Sequence, residues 1–536
     1  MLASIFAFTF TGAFSIGANL IYFLQKKINI HISYANIIFA GMLTAFLLTM
    51  GGNLHTIYTF FTPYQNDSPV PPTQLIFSPQ TFPNQYWYPN ATRFIYHTIH
   101  EFPIYSFVVS DLHGHVLDIP NVLLMIALLL VVFSKKDISD KKIYLFAIVL
   151  GSLASILYMT NAWDGLIYIG IAGTLLLVKM LQKSIVKTLF SKNFLYSLVI
   201  LVVSFIIVSL PFSLFFMPFA SQIGVNCAPQ FLINIGHIGP LIFEQGYCQH
   251  SPLWQLAILY GFFFFWFISL LALIIKERKI GNNIPSTDIF VLGIGIFGFT
   301  LIIVPEFVYL KDIYTTYFRA NTMFKLVYQS FILLTLLSGY TIYRIFQQMK
   351  LTKKTLLKKL LMYCYTVFSF ILLTLVFLYP YFAIMSYFNN LSHFQGLNGT
   401  TYLQTLSDGD YRAIQWINTH IKGQPTMLEA QGDSYTDYER ISSNTGLPTV
   451  FGWTVHEWLW RGTYSIVPGR IADVTNLYES TSLQETRELL KKYNVSYVYI
   501  GNMERTKYPT LDEAKFKQLG TVVYHSGSVT IYKIHD

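Results

Sequence analysis

The stretch SDLHGHVLDIP, residues 110–120, sets Asp111, His113 and His115 at alternate positions between two strongly apolar segments. Read as extended chain, alternation puts the carboxylate and both imidazoles on one face. Such a set could hold a divalent metal, Mg or Mn. It could equally bind phosphate through protonated histidine or move a proton. The structural alternative is a polar re-entrant loop whose side chains merely satisfy backbone donors. Glu101, in HEFP, supplies a second carboxylate suited to a catalytic base, with capping as its structural alternative.

Three further clusters carry chemistry. Asp164, in NAWDG, suits either catalysis or capping of the helix that starts there. Arg319 and Lys325, in FRANTMFK, are two cations where cations are scarce, and suit a diphosphate or phosphodiester; lipid-headgroup anchoring would use them too. GWTVHEWLWRG places His456, Glu457 and Arg461 among Trp453, Trp458 and Trp460. Aromatic faces beside bidentate donors suit a sugar or a lipid headgroup, and a packed domain–membrane interface would use the same residues. No P-loop, dinucleotide-binding glycine turn, CxxC pair or G-x-S-x-G elbow stands in a credible context.

The elements that must position these groups are apolar. Of 536 residues, 53% are hydrophobic and only 12% charged, about half the charge of a soluble domain. That composition predicts a polytopic α-helical membrane protein. Crossing a bilayer takes about 20 apolar residues, and ten segments qualify: 4–24, 34–52, 119–134, 143–160, 164–181, 195–217, 253–275, 287–305, 324–343 and 361–387. The formal charge of +9 does not indicate a nucleic-acid partner, because the basic residues lie in short loops between apolar runs.

Those loops alternate. Nineteen basic residues, from Lys26 and Lys27 to Lys358 and Lys359, fall on one side, against Arg93, Lys311, Arg319 and Lys325 on the other. The positive-inside rule makes the first side cytoplasmic. It places both termini and the loops 53–118, 218–251 and 306–323 outside the cytoplasmic membrane. The polar candidates then share one external cavity. Cys227 and Cys248 share the 218–251 loop, where a bridge is permitted but not required; Cys364 reads as helix packing. Met1 is followed at once by apolar residues without a basic leader. A first helix that starts outside suggests an N-terminally shortened chain.

Residues 388–536 carry thirteen Lys or Arg and fifteen Asp or Glu. They read as an extracytoplasmic α/β domain following a membrane domain over 1–387. Helices are predicted at 409–421, with Asp408 or Asp410 as N-cap, at LQETRELLKKY and at LDEAKFKQLG. Strands are predicted at TMLEA, VSYVYIG, TVVYHSG and VTIYKI.

The stretches HEFPIYSFVVSDLHGH, TNAWDGLIY and YFRANTMFKLVYQ, with LEAQGDSYTDYERISSNTGLPTVFGWTVHEWLWRG and KYNVSYVYIGNMER, resemble the DUF2298 or "YYY" family of membrane proteins. Where that family reads close to GDLHPH, this chain has Ser110 and Gly114. The family is similar to GT-C glycosyltransferases. The resemblance implies transfer of a sugar from a polyprenyl-phosphate to an extracytoplasmic acceptor, with an external acidic residue as base and a divalent metal nearby. On this reading Arg319 and Lys325 hold the phosphate, and Asp111, His113 and His115 bind a metal or activate the acceptor. Glu101 or Asp111 is the substitute base, and the outer domain presents the acceptor. Longer family members begin with further helices and an acidic first loop not found here, so the chain is expected to be a partial protein, a split-gene half with a separate N-terminal half as partner, or an inactive relative; membrane lipids are expected partners too. The rival classes are a transporter or lipid-flipping protein and a non-catalytic envelope scaffold; neither an internal repeat nor a midplane charge favours the transporter.

Overall fold

The computed structural model describes residues 1–28, 31–135, 140–181, 192–218, 220, 222–312, 316–351, 355–394, 396–461 and 463–535. The basic residues Lys136, Lys183, Lys187, Lys353 and Lys354 counted above lie outside the described residues. The chain divides into two compact units, Met1–Ser392 and His393–Asp536.

In the first unit each of the ten apolar segments is a helix. They are α1 (Leu2–Lys27), α2 (Tyr34–Met50), α5 (Ile119–Ser134), α6 (Asp140–Thr160), α7 (Ala162–Leu181), α8 (Lys192–Ser213), α10 (Leu253–Lys279), α11 (Ser286–Ile303), α12 (Ala320–Leu351) and α13 (Leu356–Tyr387). Among the described residues, seven are long and apolar enough to cross a membrane by themselves. The segment α2 joins them only together with the 3-10 helix Leu54–Phe60, from which it is bent by 71°, and α5 and α7 contribute shorter apolar stretches. Short helices α3 (Pro103–Val108), α4 (Gly114–Leu117) and α9 (Gln230–Ile235) lie in the connections.

The bundle is built around α12, whose apolar window is 94% buried, against 50% or less in the other six spans. Small residues let helices close on it. A Cβ on Gly17 of α1 would lie 2.5 Å from the Thr44 hydroxyl of α2, and one on Gly339 of α12 would lie 2.1 Å from the same atom. Three backbones therefore meet at Thr44, whose hydroxyl donates to the Ala40 carbonyl at 2.8 Å. Membrane helices associate through this kind of close van der Waals approach.

The connections interlock at the end of the bundle that holds the candidate residues. Strand β1 (Gln222–Val225) pairs in parallel with β3 (Leu241–Ile242) and antiparallel with β4 (Val308–Lys311), and β2 (His237–Ile238) completes the sheet in the order β2-β3-β1-β4. Cys227 and Cys248 are bridged. Cys364 is exposed on the α13 surface and so is not packed in the protein core.

The second unit has a four-stranded sheet in the order β5-β6-β8-β7, formed by β5 (Thr426–Leu428), β6 (Val495–Ile500), β7 (Gly520–Ser526) and β8 (Val529–Ile534). The pair β5–β6 is parallel and the others are antiparallel. Gly527, at φ 58°, makes the β7–β8 turn. Around the sheet lie α14 (Thr401–Leu406), α15 (Asp408–His420), α16 (Arg440–Thr445), α17 (Thr454–Arg461), α18 (Val467–Glu479), α19 (Leu483–Lys492), α20 (Asn502–Lys507) and α21 (Glu513–Leu519). Ser407, not Asp408 or Asp410, caps α15. Asp410 is drawn instead to buried Arg440, whose Nε lies 2.6 Å from one Asp410 oxygen and whose Nη2 lies 3.0 Å from Glu504.

Candidate functional site

Local sequence explains how the 101–118 segment turns. Pro103 starts α3 at the position where a missing N–H costs nothing. Ser110, at φ 58°, reverses the chain, and the Asp111 amide closes the turn on the Ser106 carbonyl at 2.9 Å. His113 then precedes α4 and His115 lies inside it. The D-x-H-x-H run is therefore not an extended strand with three side chains on one face. Gly114 sits where a Cβ would lie 2.4 Å from the Thr160 carbonyl, so glycine is needed for α4 to approach the end of α6.

This folding brings Glu101 to the set and leaves His113 at its rim. One ligating atom from each of Glu101, Asp111 and His115 lies within 4.8 Å of the others. His113 is hydrogen-bonded to Asp111 but 72% exposed. The Asp111 carboxyl thus joins two imidazoles, with its other oxygen 3.5 Å from Nε2 of His115. Glu101 accepts from Arg93 at 2.6 Å. Lys325, on α12, reaches to 3.3 Å from Nδ1 of His115, and the His115 ring packs edge-on against Phe324 and Tyr328 of the same helix.

The electrostatics follow from this packing. Burial raises the Glu101 carboxyl above its ordinary value, against the pull of Arg93. Burial also pushes Asp111 upward, but the hydrogen bond and charge of His113 outweigh it and hold the carboxyl low. The same hydrogen bond raises His113. Burial, then the Lys325 charge, lowers His115 to about 3, which keeps its imidazole neutral and able to ligate. Two carboxylates face two cations, Arg93 and Lys325, so the cluster is formally neutral.

Asp164 and Asp118 are both fully buried beside this cluster. Among the described residues, neither Asp164 oxygen has a hydrogen-bond partner, nor has Oδ2 of Asp118, Nδ2 of Asn161 or Nε2 of Gln329. Asp164 therefore does not cap α7. Arg319 stands apart from Lys325. Its fully buried guanidinium donates to Glu306 at 2.9 Å and to the Ser251 hydroxyl at 3.1 Å. The expected phosphate-binding pair of Arg319 and Lys325 is therefore not formed: Arg319 is held in a structural ion pair. An apolar groove of about 980 Å³ is bounded by Phe264, Ile268, Lys276, Lys358 and Tyr365, and by none of the candidate residues.

His456, Glu457 and Arg461 lie in the second unit. With Glu439 and Trp453 they line a cleft of about 370 Å³. Arg461 pairs with Glu457 one turn back at 2.5 Å. Sequence reasoning did not single out Arg93 as the Glu101 partner, Glu306 as the Arg319 partner, or Glu439. A lone acid after a proline at a helix end, as in PEF, is the one local signal that pointed toward Glu306.

A family model described as an uncharacterised membrane protein, DUF2298, matches residues 1–285 and 280–334. The chain belongs to the DUF2298 family. This is the family that the sequence motifs indicated, and the DUF2298 match contains the whole Glu101–Asp111–His115 cluster and Lys325. The protein is an integral membrane protein. No curated protein matches this DUF2298 chain. Solved structures similar to it include two oligosaccharyltransferase structures. One is the archaeal oligosaccharyltransferase AglB from Archaeoglobus fulgidus in complex with an inhibitory peptide and a dolichol-phosphate, at 14% identity and a TM-score of 0.32, covering 98% of this chain and 62% of that one. The other is the Archaeoglobus fulgidus oligosaccharyltransferase tethered to an acceptor peptide containing the NVT sequon, at 12% identity and a TM-score of 0.33, covering 100% and 63%. The chain thus spans just over three fifths of the length of each.

Proposed function

We propose that this DUF2298 protein is a membrane glycosyltransferase, or the larger part of one, that moves a sugar from a polyprenyl-phosphate to an extracytoplasmic acceptor. The observation that carries this reading is the buried cluster of Glu101, Asp111 and His115 beside Lys325. Two carboxylates and a neutral imidazole suit Mg or Mn, cations that prefer oxygen-rich sites. Those three residues would hold the ion, and His113 would orient Asp111 from the rim. A bound divalent ion would neutralise charge on a phosphate leaving group. A formally neutral cluster gains two positive charges with the ion, which matches a phosphate or diphosphate.

Within the chain, Lys325 offers a fixed positive charge at the phosphate. Glu101 is the candidate for taking the acceptor proton in a state in which Asp111 and His115 alone hold the ion. The test is mass spectrometry of lipid extracted with the purified protein, alongside metal analysis. A polyprenyl-phosphate species should co-purify with the wild type and be depleted in Asp111→Asn, which should also lose bound Mn. Absence of any such lipid from the wild type overturns the reading.

A further inference from the structure

We propose that the second unit carries a saccharide-binding cleft, formed by Glu439, Trp453, His456, Glu457 and Arg461 with Tyr435 at its edge, that takes a neutral sugar of one or two rings. The reading goes beyond glycosyl transfer, since the cleft would bind sugar whether or not the first unit is a transferase.

Three aromatic rings meet there. Tyr435 lies 5.6 Å from Trp453 and 5.3 Å from His456, and Trp453 lies 5.3 Å from His456, all centroid to centroid. Two of these rings are fixed from behind. The Trp453 indole donates to the Tyr438 carbonyl at 2.9 Å, and Nδ1 of His456 is 2.8 Å from the Ser434 hydroxyl. Tyr435 is 82% exposed. Its backbone, at φ 64°, is in the left-handed region that a bulky residue avoids. A ring kept open to solvent by an unfavourable backbone conformation is unexplained by packing, and such conformations concentrate at ligand sites.

The polar groups are placed just as deliberately. Glu439 is also left-handed, at φ 65°. Its position is fixed by the residues that follow it. Arg440 is anchored by Asp410 and Glu504, while the Glu429 carboxylate accepts from the Ile441 and Ser442 amides at 2.9 and 2.8 Å. The Glu439 carboxyl then occupies the space that Gly452 leaves open, where a Cβ would lie 1.3 Å from Oε1. At about 370 Å³ the cleft is near the small end of ligand sites, which run from roughly 300 to 1,000 Å³.

Charge decides which ligand fits. The cleft has two carboxylates and one guanidinium, and that guanidinium already pairs with Glu457. Among its described residues, the lining offers no unpaired cation to a phosphate headgroup or phosphorylated sugar. The hydroxyls of a neutral sugar can donate to both carboxylates and accept from Arg461, while the sugar's apolar face rests on an aromatic ring. Of the two ligand classes that the tryptophan-rich motif leaves open, sugar and lipid headgroup, this lining suits the neutral sugar.

The full chain, in a detergent without a sugar headgroup, would be titrated by tryptophan fluorescence and saturation-transfer NMR. The probes are methyl glucoside, methyl mannoside, methyl galactoside, N-acetylglucosamine and maltose, with glucose 6-phosphate and glycerophosphoglycerol as anionic comparators. At least one neutral sugar should bind saturably at millimolar concentration. Tyr435→Ala, a surface change that leaves the core intact, and Trp453→Ala should each weaken it about tenfold, the worth of one aromatic contact. Asp111→Asn should leave it unchanged, so failure here and failure of the transferase reading are separable. No saturable neutral sugar, tighter binding of either anion, or full affinity in Tyr435→Ala would each overturn the proposal, leaving a packing surface as the role of these rings.

Discussion

Replacing Arg319 with methionine should destabilise the protein, and replacing Glu306 with glutamine in the same molecule should recover much of the loss. The guanidinium is fully buried, and its closest approach to the Glu306 carboxylate is 2.9 Å. At an effective dielectric of about 20, that separation corresponds to roughly 6 kcal/mol of attraction. Desolvation of both charges offsets most of it, so the pair is worth little against an apolar substitute. Breaking it from one side is different: a fully buried carboxylate left without its cation costs about 3–5 kcal/mol, and Glu306 is partly exposed with His250 at 3.6 Å. Glu306 would keep its bonds from the Ser251 amide at 2.8 Å and hydroxyl at 2.5 Å, which places the expected loss toward the lower figure.

The assay is thermal unfolding of the purified wild type, both single variants and the double variant. A loss of that size corresponds to a fall of about 5 °C for a unit of this size. The double variant should be distinctly more stable than Arg319→Met alone, giving a coupling energy of about 1–3 kcal/mol. The reasoning fails if Arg319→Met melts at the wild-type temperature yet no longer retains phospholipid. That result would make Arg319 a ligand group and restore the anion pair expected from sequence.

Lys325→Met should strengthen Mn binding by at least about tenfold, because it removes a positive charge from beside His115; calorimetry on the full chain reads this directly. Glu439→Gln should stabilise the protein by roughly 1–2 kcal/mol at about pH 8.5 and have no effect near pH 4. Burial first, then the Glu429 charge, lifts this half-exposed carboxyl to about 7, so its contribution is present below its ordinary 4.5 and lost as pH rises through 7; unfolding at the two pH values checks the sign. Replacing Cys227 and Cys248 together with serine should cost about 3 kcal/mol, read by thermal unfolding without reductant, since the bridge closes a loop with a sequence separation of 21.

The ten apolar helices were legible because an unbroken apolar run long enough to cross a bilayer has few alternative structures. So were the longer helices and strands of the second unit: VSYVYI is β6 and LQETRELLKK is α19. The sheet formed by β1 to β4 was not, since strands of two to four residues are too short to show alternation. The α15 cap was misassigned because Asp410 satisfies the capping preference locally but is claimed by Arg440, thirty residues away. The candidate site was legible in residue type more than in geometry. D-x-H-x-H looks alternating until a helix begins at Gly114, which moves His113 to the rim and makes Glu101 the third member of the cluster. The partners of Arg319 and Glu101 come from tertiary contacts that a local pattern does not encode.

Position along α12 explains why Lys325 can act as a fixed charge and Arg319 cannot act as a ligand. Arg319 ties the start of the helix to Glu306, and Arg344 ties its far end to Asp288 at 3.3 Å. Twenty-five residues at 1.5 Å each put these anchors about 37 Å apart, somewhat more than the hydrocarbon thickness of a bilayer. Between them, Gly339 seats α12 against Thr44 with no room for a side chain. A helix pinned at both ends and packed at its centre cannot slide, so the Lys325 ammonium meets His115 at one height. Preorganised charge of this kind stabilises a reacting phosphate without reorganisation cost. The opening prediction therefore has a second readout: Arg319→Met, by loosening the anchor that fixes Lys325, should also weaken retention of a lipid phosphate beside the Glu101–Asp111–His115 cluster, whereas Cys364→Ser, on the exposed face of α13, should leave both stability and lipid retention unchanged.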